Sequence, residues 1–419
     1  MQKKFVLNFI IMLIVVSCGS SRRATRQQKE PDVTPSTLDT SIPHKDVLTT
    51  TSHKSKKDLK GSERPRLAVR LDSLLYSADT LLQFSQLGMH IVDLTTGQVV
   101  YSRNASHRMR PASSEKLVTA VTALDILGPS YQLSTQLLAV APVNGGALQG
   151  DLYIKGVMDP LLTTADVHVL ASQLKAIGIR RITGRLVADA SFKDADELGW
   201  GWCWDDDNPT LSPLLVNGKP GLAATLRNAL KNVGITVSKG TVTGVAPTNA
   251  RVLTAFRRPI TAVLQPMMKE SDNLCAEAIF YQLGKTRKQI APLINHLTGP
   301  LSTIADGSGL SLYNYQTPGT FTRLLTYANT RPDSIFYPLL EALPIAAVDG
   351  TLKKRMADSP AASNVRAKTG SVTAVSTLVG YTTQRSTGHL IAFAIMNQGI
   401  ERMAQGRTFQ DQICILLSE

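Results

Sequence analysis

The chain has 419 residues, 43% hydrophobic and 18% charged, with a formal net charge of +13. That is an ordinary globular balance with material for two or three domains. The positive excess does not point to nucleic acid: residues 1–66 hold 13 Lys/Arg against 6 Asp/Glu, a net +7, in a stretch that starts like an export signal.

Met1-Gln-Lys-Lys is basic, Phe5 to Val16 is apolar but short for a bilayer span, and Ser17-Cys18 follows. These are the parts of a signal peptide rather than of a transmembrane helix. A small residue directly before a cysteine, with Gly19-Ser-Ser after it, resembles a bacterial lipobox. Residues 1–18 are therefore expected to be a lipoprotein signal peptide and Cys18 the lipidated residue, with an ordinary secretory signal as the alternative. Residues 19–65 are Ser, Thr, Lys, Arg, Gln and Pro with almost no apolar periodicity, the composition of a disordered tether. With Cys18 set aside, Cys203, Cys275 and Cys414 are an odd number, no Cys-x-x-Cys occurs, and the seven histidines show no metal-ligand spacing. Neither a disulfide framework nor a metal or other cofactor is implied.

Beyond the tether, leucines and valines at helical spacing predict a first helix over 66–82. Gly88 to Leu94 and Gln98 to Ser102, joined by Thr-Thr-Gly, predict a hairpin. In Pro111-Ala-Ser-Ser-Glu-Lys-Leu-Val-Thr-Ala120 a helix begins, with Ser113 and Lys116 on one face and Leu117, Ala120, Val121 and Leu124 as an apolar stripe. Gly128-Pro129 stops it.

Between Tyr131 and Ala255 the texture changes to short strands with glycine turns, around helices over 166–177 and 222–233. This predicts an inserted α+β domain. The tryptophans of Gly199-Trp-Gly-Trp-Cys-Trp-Asp-Asp-Asp207 are expected to pack, and its acids to form a solvated turn. Helices over 259–268 and 274–283 follow, with Ser271-Asp-Asn273 in the break between them. Asp306 to Ser311 reads as a turn-rich loop, and Pro318 opens a helix to about Asn329. Strands over 364–372, 377–382 and 390–396 and a helix over 408–417 complete the chain. A sheet flanked by terminal helices gives an α/β (α+β) layer arrangement.

Three short motifs thus stand in order: Ser113-x-x-Lys116, Ser271-Asp-Asn273 and Lys368-Thr-Gly370. This ordered set is the one known from serine β-lactamases and penicillin-binding proteins. The chain further resembles the D-alanyl-D-alanine carboxypeptidase/endopeptidase family, the class C low-molecular-mass penicillin-binding proteins. The added likeness lies in Leu152-Tyr-Ile-Lys-Gly-x-x-Asp-Pro160, Asp306-Gly-Ser-Gly-Leu-Ser311 and Leu343-Pro-Ile-Ala-Ala-Val-Asp-Gly-Thr-Leu352. It runs from about Arg66 to the C-terminus. The family places an extra domain between its first two motifs, which suits the 158 residues separating Ser113 from Ser271. Many members nest a third domain there; here Leu215-Val-Asn-Gly-Lys-Pro-Gly runs almost directly into the next helix, so none is expected. The domains implied are a penicillin-binding serine peptidase domain, 66–130 with 255–419, and the inserted domain, 131–254.

By this resemblance the substrate is a peptidoglycan stem peptide, β-lactams are inhibitors, and the anchor holds the enzyme in the periplasm at a membrane, expected to be the outer one. Ser113 is implied as nucleophile and Lys116 as its base, since a hydroxyl attacks poorly until its proton is taken. Ser271 would pass a proton to the leaving amine and Asn273 would hold Lys116 and the substrate amide. Lys368 and Thr369 would grip the terminal carboxylate, Gly370 would let the strand approach closely, and the N–H groups of Ser113 and Ser371 would form the oxyanion hole. Asp189 matches a position that can meet the substrate's diamino acid, or is a structural turn acid. Ser308 lacks the Gly-x-Ser-x-Gly elbow and reads as a turn residue. A serine β-lactamase and a catalytically silent wall-binding module are the competing readings. Against the first, residues 280–340 hold no glutamate for fast deacylation. Against the second stands the complete motif set.

Overall fold

The computed structural model describes residues 66–419; the expected signal peptide, Cys18 and the expected tether lie outside the described residues. The strand Leu390–Gln398 is the middle of a five-stranded antiparallel sheet. Val375–Thr383 and then Arg366–Val372 lie to one side of it, and Gln86–Asp93 and then Val99–Arg103 to the other. Alternation sends Ile391, Phe393 and Ile395 into one core and Ala392, Ala394 and Met396 into another. Both faces are covered, so this strand reads as an unbroken apolar run.

The terminal helices Arg66–Ser77 and Met403–Ser418 close the first face through Leu71, Leu75, Phe409, Ile413 and Leu417. On the second face lie Ile260–Lys269, Asn273–Gln282 and Pro318–Asn329, gathered around Glu115–Leu127. Every residue from Glu115 to Leu124 in that last helix is buried, as befits a helix enclosed on all sides. Gly128, at φ 78°, ends it as the sequence predicts.

The region between the first two motifs carries its own apolar core, drawn from Leu137 to Ile235. The helices Thr164–Ala176 and Leu222–Asn232 pack on a mixed sheet ordered Thr241–Thr243, Leu186–Asp189, Leu152–Lys155, Gln132–Ala139, Arg251–Pro259. Thr163 opens the first helix with a reciprocal capping box to Asp166.

Several elements depart from expectation. The first helix breaks at Ala78 into Arg66–Ser77 and Asp79–Phe84, where the Ser77 hydroxyl donates to Leu74 O at 2.8 Å and competes for a helix carbonyl. The helix Arg287–Thr298 is unannounced because Pro292 lies inside it. The strand Arg251–Pro259 runs through position 255, so helical structure resumes at Ile260. Of the three tryptophans, Trp200 stacks on Tyr313 and Trp202 donates to Asp306, but Trp204 is 86% exposed.

Candidate active site

The three motifs, up to 255 residues apart in the chain, converge where the helix Glu115–Leu127 starts beside the edge strand Arg366–Val372. A single 3-10 turn, Ala112–Ser114, leads into the helix. Ala112 sits at φ 47°, and the carbonyl behind it presses against Gly309, where an added Cβ would lie 1.9 Å from Ala112 O. Backbone strain of this kind concentrates at functional sites, and it recurs at Ser271, whose φ is 62°.

Lys116 is wholly buried. Its Nζ donates to Ser113 Oγ at 3.0 Å, Asn273 Oδ1 at 2.7 Å and Ser308 O at 2.7 Å. Burial draws its pKa down to about 8, against the opposing pull of Asp306, Glu277 and Asp272. An ammonium uses all three acceptors. A neutral amine keeps two of them and turns its lone pair to the third, which is the geometry for accepting a proton from the Ser113 hydroxyl.

Lys368, also wholly buried, donates to Ser271 Oγ at 2.9 Å and Thr369 O at 2.8 Å. Burial, then the charge of Lys116, holds its pKa well below that of an ordinary lysine. Ser271 thus lies in the break between two helices with a lysine on its hydroxyl, and Asp272 rather than Ser271 caps the following helix through Cys275 N. Thr369 Oγ1 donates to Thr351 Oγ1 at 2.8 Å, so the Leu343–Leu352 motif flanks the same strand.

Gly370 has no room for a side chain: a Cβ there would lie 2.2 Å from Thr377 Oγ1, 2.5 Å from Pro111 O and 2.9 Å from Ser114 N. The strand backbone therefore passes directly against the Ser113 turn. Thr377 Oγ1 donates to Pro111 O and bonds Ser114 Oγ at 2.7 Å, tying sheet to turn. On the strand's outer edge Ala367 N donates to Pro344 O at 3.1 Å. Alternate residues of an antiparallel strand face the same way, so the Ser371 N–H also points to that edge.

Asp189 is not joined to this cluster. The residue is 1% exposed, and its carboxylate accepts from Ser191 N and Ala246 N, each at 2.9 Å. Burial raises its pKa, but those amides and the Lys155 charge outweigh it and leave the carboxyl below its usual value. Ser308 is buried too, contributing its carbonyl to Lys116 and leaving its hydroxyl away from solvent.

The floor under Lys116 carries residues that no motif had marked for a role. Glu277 Oε1 accepts from Gly307 N and Ser308 N, and Thr119 Oγ1 donates to Gly307 O. Asp306 accepts from Gly309 N, Ser311 N, Asn314 Nδ2 and Trp202 Nε1. The spacing of Asn273 and Glu277, four apart on one helix face, is the signal that could have found the first of them. Among the described residues no group of acids, histidines and cysteines is placed to hold a metal ion.

The D-Ala-D-Ala carboxypeptidase 3 (S13) family profile matches residues 67–216 and 215–419. The chain belongs to this family. Its relatives include the D-alanyl-D-alanine carboxypeptidase DacB of Haemophilus influenzae, 27% identical over 74% of this chain and 84% of that one. The D-alanyl-D-alanine carboxypeptidase of Actinomadura sp. strain R39 is 28% identical over 86% of each. Among solved structures, penicillin binding protein 4 (dacB) from Haemophilus influenzae superposes with a TM-score of 0.74 at 24% identity, covering 81% of this chain and 98% of that one. The S13 chain is accordingly a hydrolase, a serine-type D-Ala-D-Ala carboxypeptidase.

Proposed function

We propose that this S13 enzyme cleaves the bond after the penultimate D-alanine of a peptidoglycan stem through an ester on Ser113. The observation that carries the reading is the set of three acceptors around Lys116 Nζ, with Ser113 Oγ at 3.0 Å as the one that has a proton to give. Neutral Lys116 takes the Ser113 proton as Oγ attacks the D-Ala carbonyl. The oxygen that becomes negative accepts from the N–H groups of Ser113 and Ser371. The proton passes through Ser271, backed by Lys368, to the departing nitrogen as the C–N bond breaks. Water then hydrolyses the ester. With its Oδ1 held by Lys116, Asn273 has its amide N–H free to donate to the substrate backbone.

A terminal carboxylate would sit against Lys368 and Thr369. Endopeptidase cleavage of D-Ala-diamino-acid cross-links presents the same carbonyl, and we include it in the reading. The fold likeness to a protein named for binding penicillin supports β-lactam inhibition through the same serine. We read Asp189 as a turn acid, its oxygens being taken by backbone amides. The inserted domain is proposed over 131–254, between 66–130 and 255–419 of the peptidase domain, without a nested third domain; its separate apolar core supports this.

The enzyme acts outside the cytoplasm. We further place it in the periplasm, lipid-anchored at Cys18 to the outer membrane. Among the described residues no helix is long and apolar enough to cross a membrane. Cys18→Ala should release it from the membrane fraction.

Labelling with a tagged penicillin followed by peptide mapping tests the site: the adduct is expected on the peptide holding Ser113, and an adduct elsewhere would sink the reading. The acylation rate should rise about tenfold per pH unit below the Lys116 value of about 8 and level off above it, because only the neutral amine accepts the proton.

A further inference from the structure

A terminal carboxylate has two oxygens to satisfy, and the groups that the reading above assigns to it are nearly spent. Lys368 Nζ gives one proton to Ser271 Oγ and one to Thr369 O, so its ammonium form keeps a single proton. Thr369 has one hydroxyl proton, and it goes to Thr351 Oγ1 at 2.8 Å. Thr351 Oγ1 therefore accepts, while its own proton meets no acceptor among the described residues. Thr351 is exposed and stands beside the strand that the substrate would meet.

Its place is fixed from two sides. Ala367 N donates to Pro344 O at 3.1 Å and Ala346 N donates to Val365 O at 3.0 Å, so the loop from Leu343 covers the outer edge of the strand Arg366–Val372 as far as Ala367. Beyond Ala367, where the Ser371 N–H faces outward, no backbone group of the described residues bonds that edge. From the other side, Lys269 Nζ donates to Leu343 O and to Asp349 Oδ2, each at 2.6 Å, while Asp349 Oδ1 accepts from Ile345 N at 2.8 Å. Gly350, at φ 55°, packs so closely that an added Cβ would lie 2.6 Å from Lys269 O. Lys269 ends the helix that leads into Ser271, so one helix end braces both the second motif and Thr351.

We propose that Thr351 is a substrate-binding residue whose hydroxyl, accepting from Thr369, donates to the terminal carboxylate of the stem peptide beside the remaining proton of Lys368. In a chain of hydroxyls each one that accepts is the better donor, and here the last of them meets the charge. The consequence is a preference for a free carboxyl end. An amide in its place still offers a carbonyl oxygen to Thr351 but brings no charge, and its hydrogen bond is the weaker.

The inference rests on the reading that a carboxylate lies against Lys368 and Thr369, and the test separates the two. With the full chain, kcat/KM would be measured on an acyl-lysyl-D-Ala-D-lactate depsipeptide, whose ester bond reacts readily, and on its C-terminal amide. The wild type should favour the free acid. Thr351→Val removes one exposed hydroxyl at nearly constant shape and should lower the acid-to-amide ratio about tenfold. Thr351→Ser should keep the ratio within about threefold of the wild type. Equal losses on both substrates in Thr351→Val mark a structural role and overturn the proposal, as does an unchanged ratio with no loss. If that unchanged ratio stands beside a lost one in Thr369→Val, the carboxylate belongs to Thr369 alone. A wild type with no preference for the acid instead overturns the carboxylate reading, and the proposal with it. Thr351→Ala replaces the valine variant should that one fold poorly. Should the amide react too slowly to time, acylation by benzylpenicillin and by its methyl ester replaces the peptide pair under the same criteria.

Discussion

Around Ser113 the protein buries Glu115, Lys116, Thr119, Glu277, Asp306 and Lys368, whereas the core between Leu137 and Ile235 buries leucine, isoleucine, valine and alanine. The second region gains free energy from each side chain it encloses. The first must offset the desolvation of its charges with hydrogen bonds, since a buried polar group costs whatever its partners do not return. A region that hides charge around a reactive serine is organised for chemistry, and a core lined by hydrocarbon is organised to stand by itself, with Asp159 and Asp189 buried beside it and satisfied by Arg258 and by backbone amides.

Substitutions can break that contrast. The largest effect is expected for Lys116→Ala, which removes the base and leaves Asn273 Oδ1 and Ser308 O without their donor. Acylation by a tagged penicillin should fall on the order of 10³-fold or more, with far-UV circular dichroism unchanged. Next is Gly370→Ala, whose methyl would strike Thr377 Oγ1 and Pro111 O and shift the Ser113 turn. Displacements near 1 Å cost about 10²-fold in rate, so acylation should drop by about that factor. In the other region, Leu226→Ala empties part of the core and should cost about 2–5 kcal/mol in denaturant unfolding. Its acylation rate at 25 °C should stay within about twofold, because no charged group there meets the serine. Smallest is Ser308→Ala: the residue serves Lys116 through its backbone carbonyl, so acylation should remain within about threefold. A collapse of acylation in that variant would make the Ser308 hydroxyl a candidate nucleophile in place of Ser113.

Much of the fold was legible because periodicity survives folding. The stripe of Leu117, Ala120, Val121 and Leu124 gave the enclosed helix, and the run from Leu390 gave the central strand. Arg287–Thr298 was not, since an internal proline masks a helix that its neighbours nonetheless hold. At the site, Ser113 with Lys116 could be read from a three-residue spacing. Glu277 left only the faint signal of its four-residue spacing from Asn273, and Asp306 left none for its role, because the backbone amides both of them accept from come within reach only when the loop 306–311 folds under the helix. Trp204 shows the opposite limit: composition predicts a packed indole, and position leaves it in water.

The contact between Trp202 and Asp306 has an optical consequence. One indole N–H is bound at 2.7 Å to the carboxylate that shapes the loop under Lys116, while Trp204 stands in solvent and Trp200 stacks on Tyr313 beneath the Arg287 guanidinium. A water-soluble quencher should strip the emission of Trp204 first and leave a residual signal weighted toward Trp202. That residual emission reports on the floor of the active site from inside the protein, with no dye attached.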